Sequence, residues 1–198
     1  MVNARREAHK EKPIQVREKS LAPLVRRQWK KILRLMVVYP GDIILDANCM
    51  EGTLLKRLAR LHPQAALCGA CYTPPQVRHA RQLAQGADVM FADDRDLPWM
   101  SESMDVAFIA RGFHEMDNPP AVLYEIHRLL RKGGQVLIAG LWVPRGICSF
   151  ANELIEHTHP ARIRTQTEMI EMLRSIGFEQ VHYERVGTLG CVLTGLKK

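Results

Sequence analysis

Several groups of residues in this chain are of types that do chemistry. Cys68-Gly69-Ala70-Cys71 is a C-x-x-C, the spacing of a redox dithiol or of half a zinc site. No second C-x-x-C accompanies it. Both cysteines fall in an apolar run that reads as a strand, where residues three apart face opposite sides; the pair is therefore expected to be structural. His114 and Glu115 follow another apolar run. An imidazole there is placed to take a proton from a substrate, and equally to hydrogen-bond a loop. Arg111, three residues earlier, suits an anionic substrate or a neighbouring aspartate. His157-Thr158-His159 invites a metal reading. It lacks a third ligand at ligating distance in the sequence, so no metal site is expected and the imidazoles read as solvated.

The elements that must position these groups follow from the apolar pattern. Leu21, Leu24, Val25, Trp29, Ile32, Leu33 and Met36 recur at three- and four-residue steps, which predicts an amphipathic helix from about Ser20. After Tyr39-Pro40-Gly41, short apolar runs alternate with helical patterns. Strands are expected at 42–46, 66–71, 88–92, 105–110, 135–141, 179–186 and 191–196. Helices are expected at 52–61, 75–85, 119–130 and 167–176, with Lys132-Gly133-Gly134 as a stop and Gly177 as a C-cap. Alternating strands and helices predict a parallel sheet. Only Gly187–Gly190 separates the last two strands, too few residues for a crossover, so these form an antiparallel hairpin. In such sheets ligands sit beyond the carboxyl ends of the strands, at the point where strand order reverses. The residues just after Leu45, Ala70, Phe91 and Ile109 are therefore the ones to examine.

Composition sets the class. The chain has 198 residues, 46% hydrophobic and 25% charged, the balance of one globular domain rather than of a disordered chain, a collagen-like fibre or a disulfide miniprotein. Its longest apolar runs are too short to predict a membrane-spanning helix, and MVNARREAHKEK has no apolar core of a secretory signal. The five cysteines read as reduced thiols, which predicts a cytoplasmic protein. The net charge of +7 is uneven. Residues 1–34 hold eleven basic and three acidic residues and carry +8. That end is a solvated helix face, a surface for RNA or another polyanion, or a contact with an anionic membrane. Residues 1–19 read as mobile or conditionally helical. The organisation expected is a basic extension and lid helix over 1–38 and one domain over 39–198.

From Tyr39 onward the chain resembles the class I S-adenosylmethionine-dependent methyltransferases, closest to the small-molecule branch that includes ubiquinone and menaquinone methyltransferases. The strand Ile43–Leu45, the acid Asp46 and the turn Ala47-Asn48-Cys49-Met50-Glu51-Gly52 stand where the family has an acid and a G-x-G-x-G turn. Ala92-Asp93-Asp94-Arg95-Asp96-Leu97-Pro98-Trp99 is similar to G-D-A-x-x-L-P-F. Met104–Phe108 is similar to F-D-V-V, Phe113–Met116 to L-H-H, Glu125–Gly134 to E-x-x-R-V-L-K-P-G-G, and Ile176-Gly177-Phe178 to A-G-F. Six such stretches in order imply a Rossmann-like, seven-stranded, mostly parallel sheet with a C-terminal antiparallel hairpin and helices on both faces.

The resemblance also implies a site. Asp46, Asn48, Met50 and Gly52 would lie at the methionine end of S-adenosylmethionine. Cys71 and Tyr72 would flank the ribose, Asp93 and Asp94 the adenine, and Ala110 the wall after the fourth strand. Arg111, Phe113 and Trp29 would line the acceptor, with His114 as candidate base. The product would be S-adenosylhomocysteine.

The chain departs from the pattern at two places. Of three glycines only Gly52 remains. Asn48 tolerates a left-handed backbone, whereas the Met50 side chain either folds into the core or plugs the cofactor pocket. Cys71 replaces an acid that would accept from both ribose hydroxyls. A thiol is a weak acceptor, and the loss is worth about 1.5–3 kcal/mol. The function expected is methyl transfer to a small acceptor. The alternatives are a non-catalytic binding protein on the same fold, and an RNA methyltransferase using the basic N-terminus.

Overall fold

The structure, a computed structural model, describes residues 15–93, 95–143 and 162–198. Asp94 and His157-Thr158-His159 lie outside them. Seven strands form one sheet: β1 (Ile43–Asp46), β2 (Ala66–Cys71), β3 (Asp88–Phe91), β4 (Met104–Ile109), β5 (Leu130–Leu141), β6 (Phe178–Val186) and β7 (Gly190–Lys197). The spatial order is β3-β2-β1-β4-β5-β7-β6. Strands β1 to β5 pair in parallel, and β7 pairs antiparallel with both β5 and β6. The expected hairpin is present. The order reverses between β1 and β4, so the switch point lies beyond Asp46 and Ile109.

Helices α1 (Gln15–Leu35), α2 (Thr53–Leu61), α3 (Pro74–Leu83), α4 (Pro119–Leu129) and α5 (Gln166–Ile176) surround the sheet, with one 3-10 turn at Phe113–Glu115. Local chemistry sets their ends. The Asn118 side chain accepts from the Ala121 amide at 3.3 Å, ahead of Pro119 and Pro120 in the first turn of α4, where a missing amide costs nothing. Thr165 and Glu168 form a reciprocal capping box on α5, and Gly177 ends it at φ 111°, a backbone that glycine adopts without strain.

Two elements differ from the expectation. Helix α1 begins at Gln15, about five residues earlier than its apolar period, with Pro23 inside it. The stop expected at Lys132–Gly134 lies instead within β5. Helix α4 already ends at Leu129, and the chain turns directly into strand. Met104 to Val106 on β4 faces Leu130 to Gln135 on β5, so the extra residues form a bulge in which Gly133 takes φ 77°.

The sheet buries two apolar layers. One holds Leu45, Ala107, Ile138, Leu123 and Phe178. The other holds Ile44, Phe108, Leu137, Leu55 and, from α1, Ile32 and Met36. Helix α1 is therefore part of the core. Its Gln28 is 5% exposed, and the side-chain amide donates to the carbonyl of Gly140 at 2.7 Å and of Cys191 at 3.4 Å. Gly140 and Cys191 face each other across β5 and β7, so Gln28 pins the helix to that ladder. Replacing Gln28 with Ala removes a buried donor, an effect of about 1–3 kcal/mol. The expected result is a melting temperature lower by about 3–10 °C in thermal denaturation; an unchanged melting temperature would contradict this anchoring.

Candidate functional site

The turn after β1 is tied to both neighbouring strands. The Ala47 amide donates to the Phe108 carbonyl of β4, and the Cys49 amide to the Ala70 carbonyl of β2, each at 2.9 Å. The Asn48 amide donates to the Asp46 carboxyl at 3.2 Å. The chain then passes through Met50 at φ 48° and Gly52 at φ 78°. Two positions of the turn thus take the left-handed backbone that favours glycine, one of them without a glycine. Met50 holds the left-handed region at a cost of about 1–2 kcal/mol. Gly52 is kept by packing as well, since a Cβ there would lie 2.9 Å from the Cα of Ala80 on α3.

Beyond the turn lies a cavity of about 40 Å³, lined by Trp29, Asp46, Asn48, Cys49, Met50, Glu51, Thr53, Leu54, Ala110 and Arg111. Asp46 is 2% exposed. Burial pushes its carboxyl up to about 7, against the opposing pull of the Asn48 amide. Asn48 is 9% exposed, and its amide nitrogen donates to the Arg111 carbonyl at 3.2 Å. The Asn48 Oδ1 acceptor and the Trp29 Nε1 donor are both buried and have no hydrogen-bond partner among the described residues. Each such atom costs about 1–3 kcal/mol. Both residues line the cavity, and they bring an unpaired donor and an unpaired acceptor to the neighbourhood of a buried acid.

Beside this cavity the sulfurs of Cys49 and Cys71 stand 2.6 Å apart, and the Cys71 thiol donates to the Met50 carbonyl at 3.3 Å. The contact with Cys71, together with burial, holds the Cys49 thiol well above the usual cysteine range. The C-x-x-C splits across the sheet as its spacing predicts. Cys68 belongs to one apolar layer and Cys71 to the other. Sequence reasoning missed Cys49, because its meeting with Cys71 depends on how the ends of β1 and β2 line up.

The cavity brings together Asp46, Asn48, Met50, Ala110, Arg111 and Trp29. Gly52 starts the helix behind it, and Cys71 touches its Met50 edge. Trp29 comes from α1 and sits with Asp46 and Asn48, not with Phe113 and His114. Four other candidates are not among the lining residues. Tyr72 is half-buried just after β2. The Asp93 carboxylate is gripped by the Arg95 guanidinium through two hydrogen bonds of 3.0 Å, and also accepts from the Arg95 amide. Phe113 is 2% exposed in the core, with the Arg164 guanidinium 6.0 Å from its ring centre. His114 Nε2 lies 3.5 Å from a Glu115 carboxylate oxygen. Among the described residues no three His, Cys, Asp or Glu are grouped to hold a metal ion, and no helix is long and apolar enough to cross a membrane.

Residues 45–138 match the family described as methyltransferase domain. The chain is 34% identical over 106 residues to the malonyl-[acyl-carrier protein] O-methyltransferase of Hahella chejuensis, which covers 52% of this chain and 37% of that protein. It is 33% identical over 99 residues to the demethylmenaquinone methyltransferase of Thermus thermophilus, covering 48% of this chain and 45% of that protein. The chain thus spans less than half the length of these two curated relatives. A chain of the complex between the Haloferax volcanii Trm112 methyltransferase activator and a methyltransferase superposes with a TM-score of 0.77 at 20% identity, covering 92% of this chain and 94% of that one. That likeness bears on the fold. With the strand order and the turn after β1, these matches show a Rossmann-like methyltransferase fold and support a place among the class I S-adenosylmethionine-dependent methyltransferases.

Proposed function

We propose that this protein binds S-adenosylmethionine and moves its sulfonium methyl group to a small-molecule acceptor. One observation carries the reading: the unpaired Trp29 donor and Asn48 acceptor at a cavity that also holds Asp46. An amino-acid end offers the matching groups. Its carboxylate accepts from Trp29 Nε1–H, and its ammonium donates to Asn48 Oδ1 and to ionised Asp46. When bound, the cofactor supplies an electrophilic methyl group. The residues of this chain hold and orient it, and in-line approach of the acceptor supplies most of the catalysis. Arg111, Phe113 and His114 are assigned to the acceptor side, with His114 taking a proton where the acceptor carries one. Relatives named for quinone and acyl-carrier-protein substrates support a small acceptor.

The cavity is small. Ligand sites of this kind run to about 300–1,000 Å³, so the lining widens when the cofactor enters, and the Met50 side chain is assigned that movement. Met50 suits this, being half-buried and flexible along its whole side chain. The same observation favours a second reading, in which Met50 keeps the cavity shut and the fold serves as a non-catalytic binding protein. The basic surface is assigned to contact with a polyanion or an anionic membrane. Arg26, Arg27, Lys30 and Arg34 are exposed along α1. Buried reduced cysteines fit a cytoplasmic setting.

Calorimetric titration with S-adenosylhomocysteine tests the first reading. Micromolar affinity is expected. Met50→Gly is expected to bind about tenfold more tightly, because it clears the cavity and relieves the left-handed strain. Trp29→Phe is expected to bind about tenfold more weakly. No heat up to millimolar ligand from a folded protein would instead support the non-catalytic reading.

Asp46 gives binding a pH dependence. Its folded pKa of about 7 lies above the model-peptide 3.8, so the folded apo protein holds this proton more tightly than the unfolded chain does. The stability from this group is therefore full below about pH 3.8 and is lost as pH rises to about 7. A ligand ammonium prefers the ionised acid. Affinity is therefore expected to rise about tenfold between pH 6 and pH 8, and Asp46→Asn is expected to flatten the profile. A flat wild-type profile would contradict the assigned role.

A further inference from the structure

We propose that Cys49 and Cys71 form a reversible disulfide that locks the turn after β1 against the end of β2. Three observations meet here. The sulfurs are 2.6 Å apart, about 0.5 Å from the length of a disulfide bond. The Cys49 amide already bonds the Ala70 carbonyl, so the backbones that carry the two thiols are held side by side. Finally, Cys49 borders the cavity and is 5% exposed, whereas Cys71 is fully buried. An oxidant entering the cavity therefore meets Cys49 first.

The step balances with a peroxide as oxidant. The Cys49 sulfur attacks one peroxide oxygen and the O–O bond breaks. With hydrogen peroxide, Cys49 becomes a sulfenic acid, and the departing hydroxide leaves as water with the thiol proton. The Cys71 sulfur then attacks the sulfenic sulfur. The S–S bond forms, the S–O bond breaks, and a second water carries away the Cys71 proton. Both thiols are oxidised and the peroxide is reduced to two waters. A buried, protonated Cys49 reacts slowly, which suits sustained rather than brief oxidation.

The lock acts on the site just described, and that consequence rests on the proposed function. In that function the Met50 side chain moves aside for the cofactor, and Met50 follows Cys49 directly in the turn. A disulfide at Cys49 fixes the residue that precedes Met50 and so restricts that movement. It also removes the Cys71 S–H that donates to the Met50 carbonyl.

The test uses the whole reduced protein treated with hydrogen peroxide, capped with N-ethylmaleimide and cut with trypsin. Cys49 lies on the peptide Leu35–Lys56, and Cys68 with Cys71 on Leu61–Arg78. The expected result is a cross-linked pair of these peptides, two hydrogens lighter than their sum and separated by dithiothreitol. Fragmentation should place the bond on Cys71, and Cys68→Ala should keep it. Absence of the pair, or a bond on Cys68, would overturn the proposal. The cross-linked protein should bind S-adenosylhomocysteine at least tenfold more weakly than the reduced protein, with recovery after reduction; equal affinity would overturn the lock. Mapping the bond needs no ligand, so failure of the reduced protein to bind would count against the proposed function alone.

Discussion

The site depends on a carboxyl buried where the strand order reverses. Asp46 closes β1 between β2 and β4, at 2% exposure. An acid there is costly to ionise, and among the described residues the Asn48 amide offsets part of that cost. The turn that delivers this amide must bend through left-handed backbone at Met50 and Gly52. Its bonds to Phe108 and Ala70 leave it little choice of path. The rest of the molecule serves that constraint. Five parallel strands hold the turn, α2 and α3 pack behind it through Gly52, and α1 covers it with Trp29. Under the proposed function, the amino-acid end of the cofactor would bring the cation for Asp46 and the acceptor for Trp29 that this arrangement lacks.

Three residues that depart from the pattern the chain resembles, Asn48 and Met50 in the turn and Cys71 at the end of β2, form one set. Asn48 contributes a side-chain donor to the Arg111 carbonyl that a glycine lacks. Met50 fills space and turns its carbonyl to Cys71. Cys71, in place of an acid, removes a negative charge that would otherwise lie beside Cys49 and near Asp46. The result is a site with less charge, more packing and a thiol pair. Asn48 adds the unpaired acceptor, so the altered turn keeps a polar face toward the cavity.

Much of the fold was legible because it rests on runs of apolar residues. The strand runs, the four-residue link Gly187–Gly190 and the period from Leu21 to Met36 each name their element. The early start of α1 was not legible, since residues 15–19 carry no apolar stripe. The bulge at Lys132–Gly134 was hidden because two glycines after a helix read as a stop, while their actual role depends on pairing with β4. At the site, Asp46 and the turn could be read from local order along the chain. The meeting of Cys49 with Cys71, the grip of Arg95 on Asp93 and the place of Trp29 could not. Each depends on how separate elements or side chains settle against one another.

The most direct measurement follows the indole N–H of Trp29 by ¹H–¹⁵N correlation spectroscopy as S-adenosylhomocysteine is added. The three tryptophans give three indole signals, and Trp29→Phe identifies one. Trp99 already donates to Asp88 and serves as the internal reference. A buried donor that gains a carboxylate partner is expected to shift strongly downfield and to saturate with the binding isotherm. An unmoved Trp29 signal at saturating ligand would contradict the account of this cavity as the seat of the cofactor's amino-acid end.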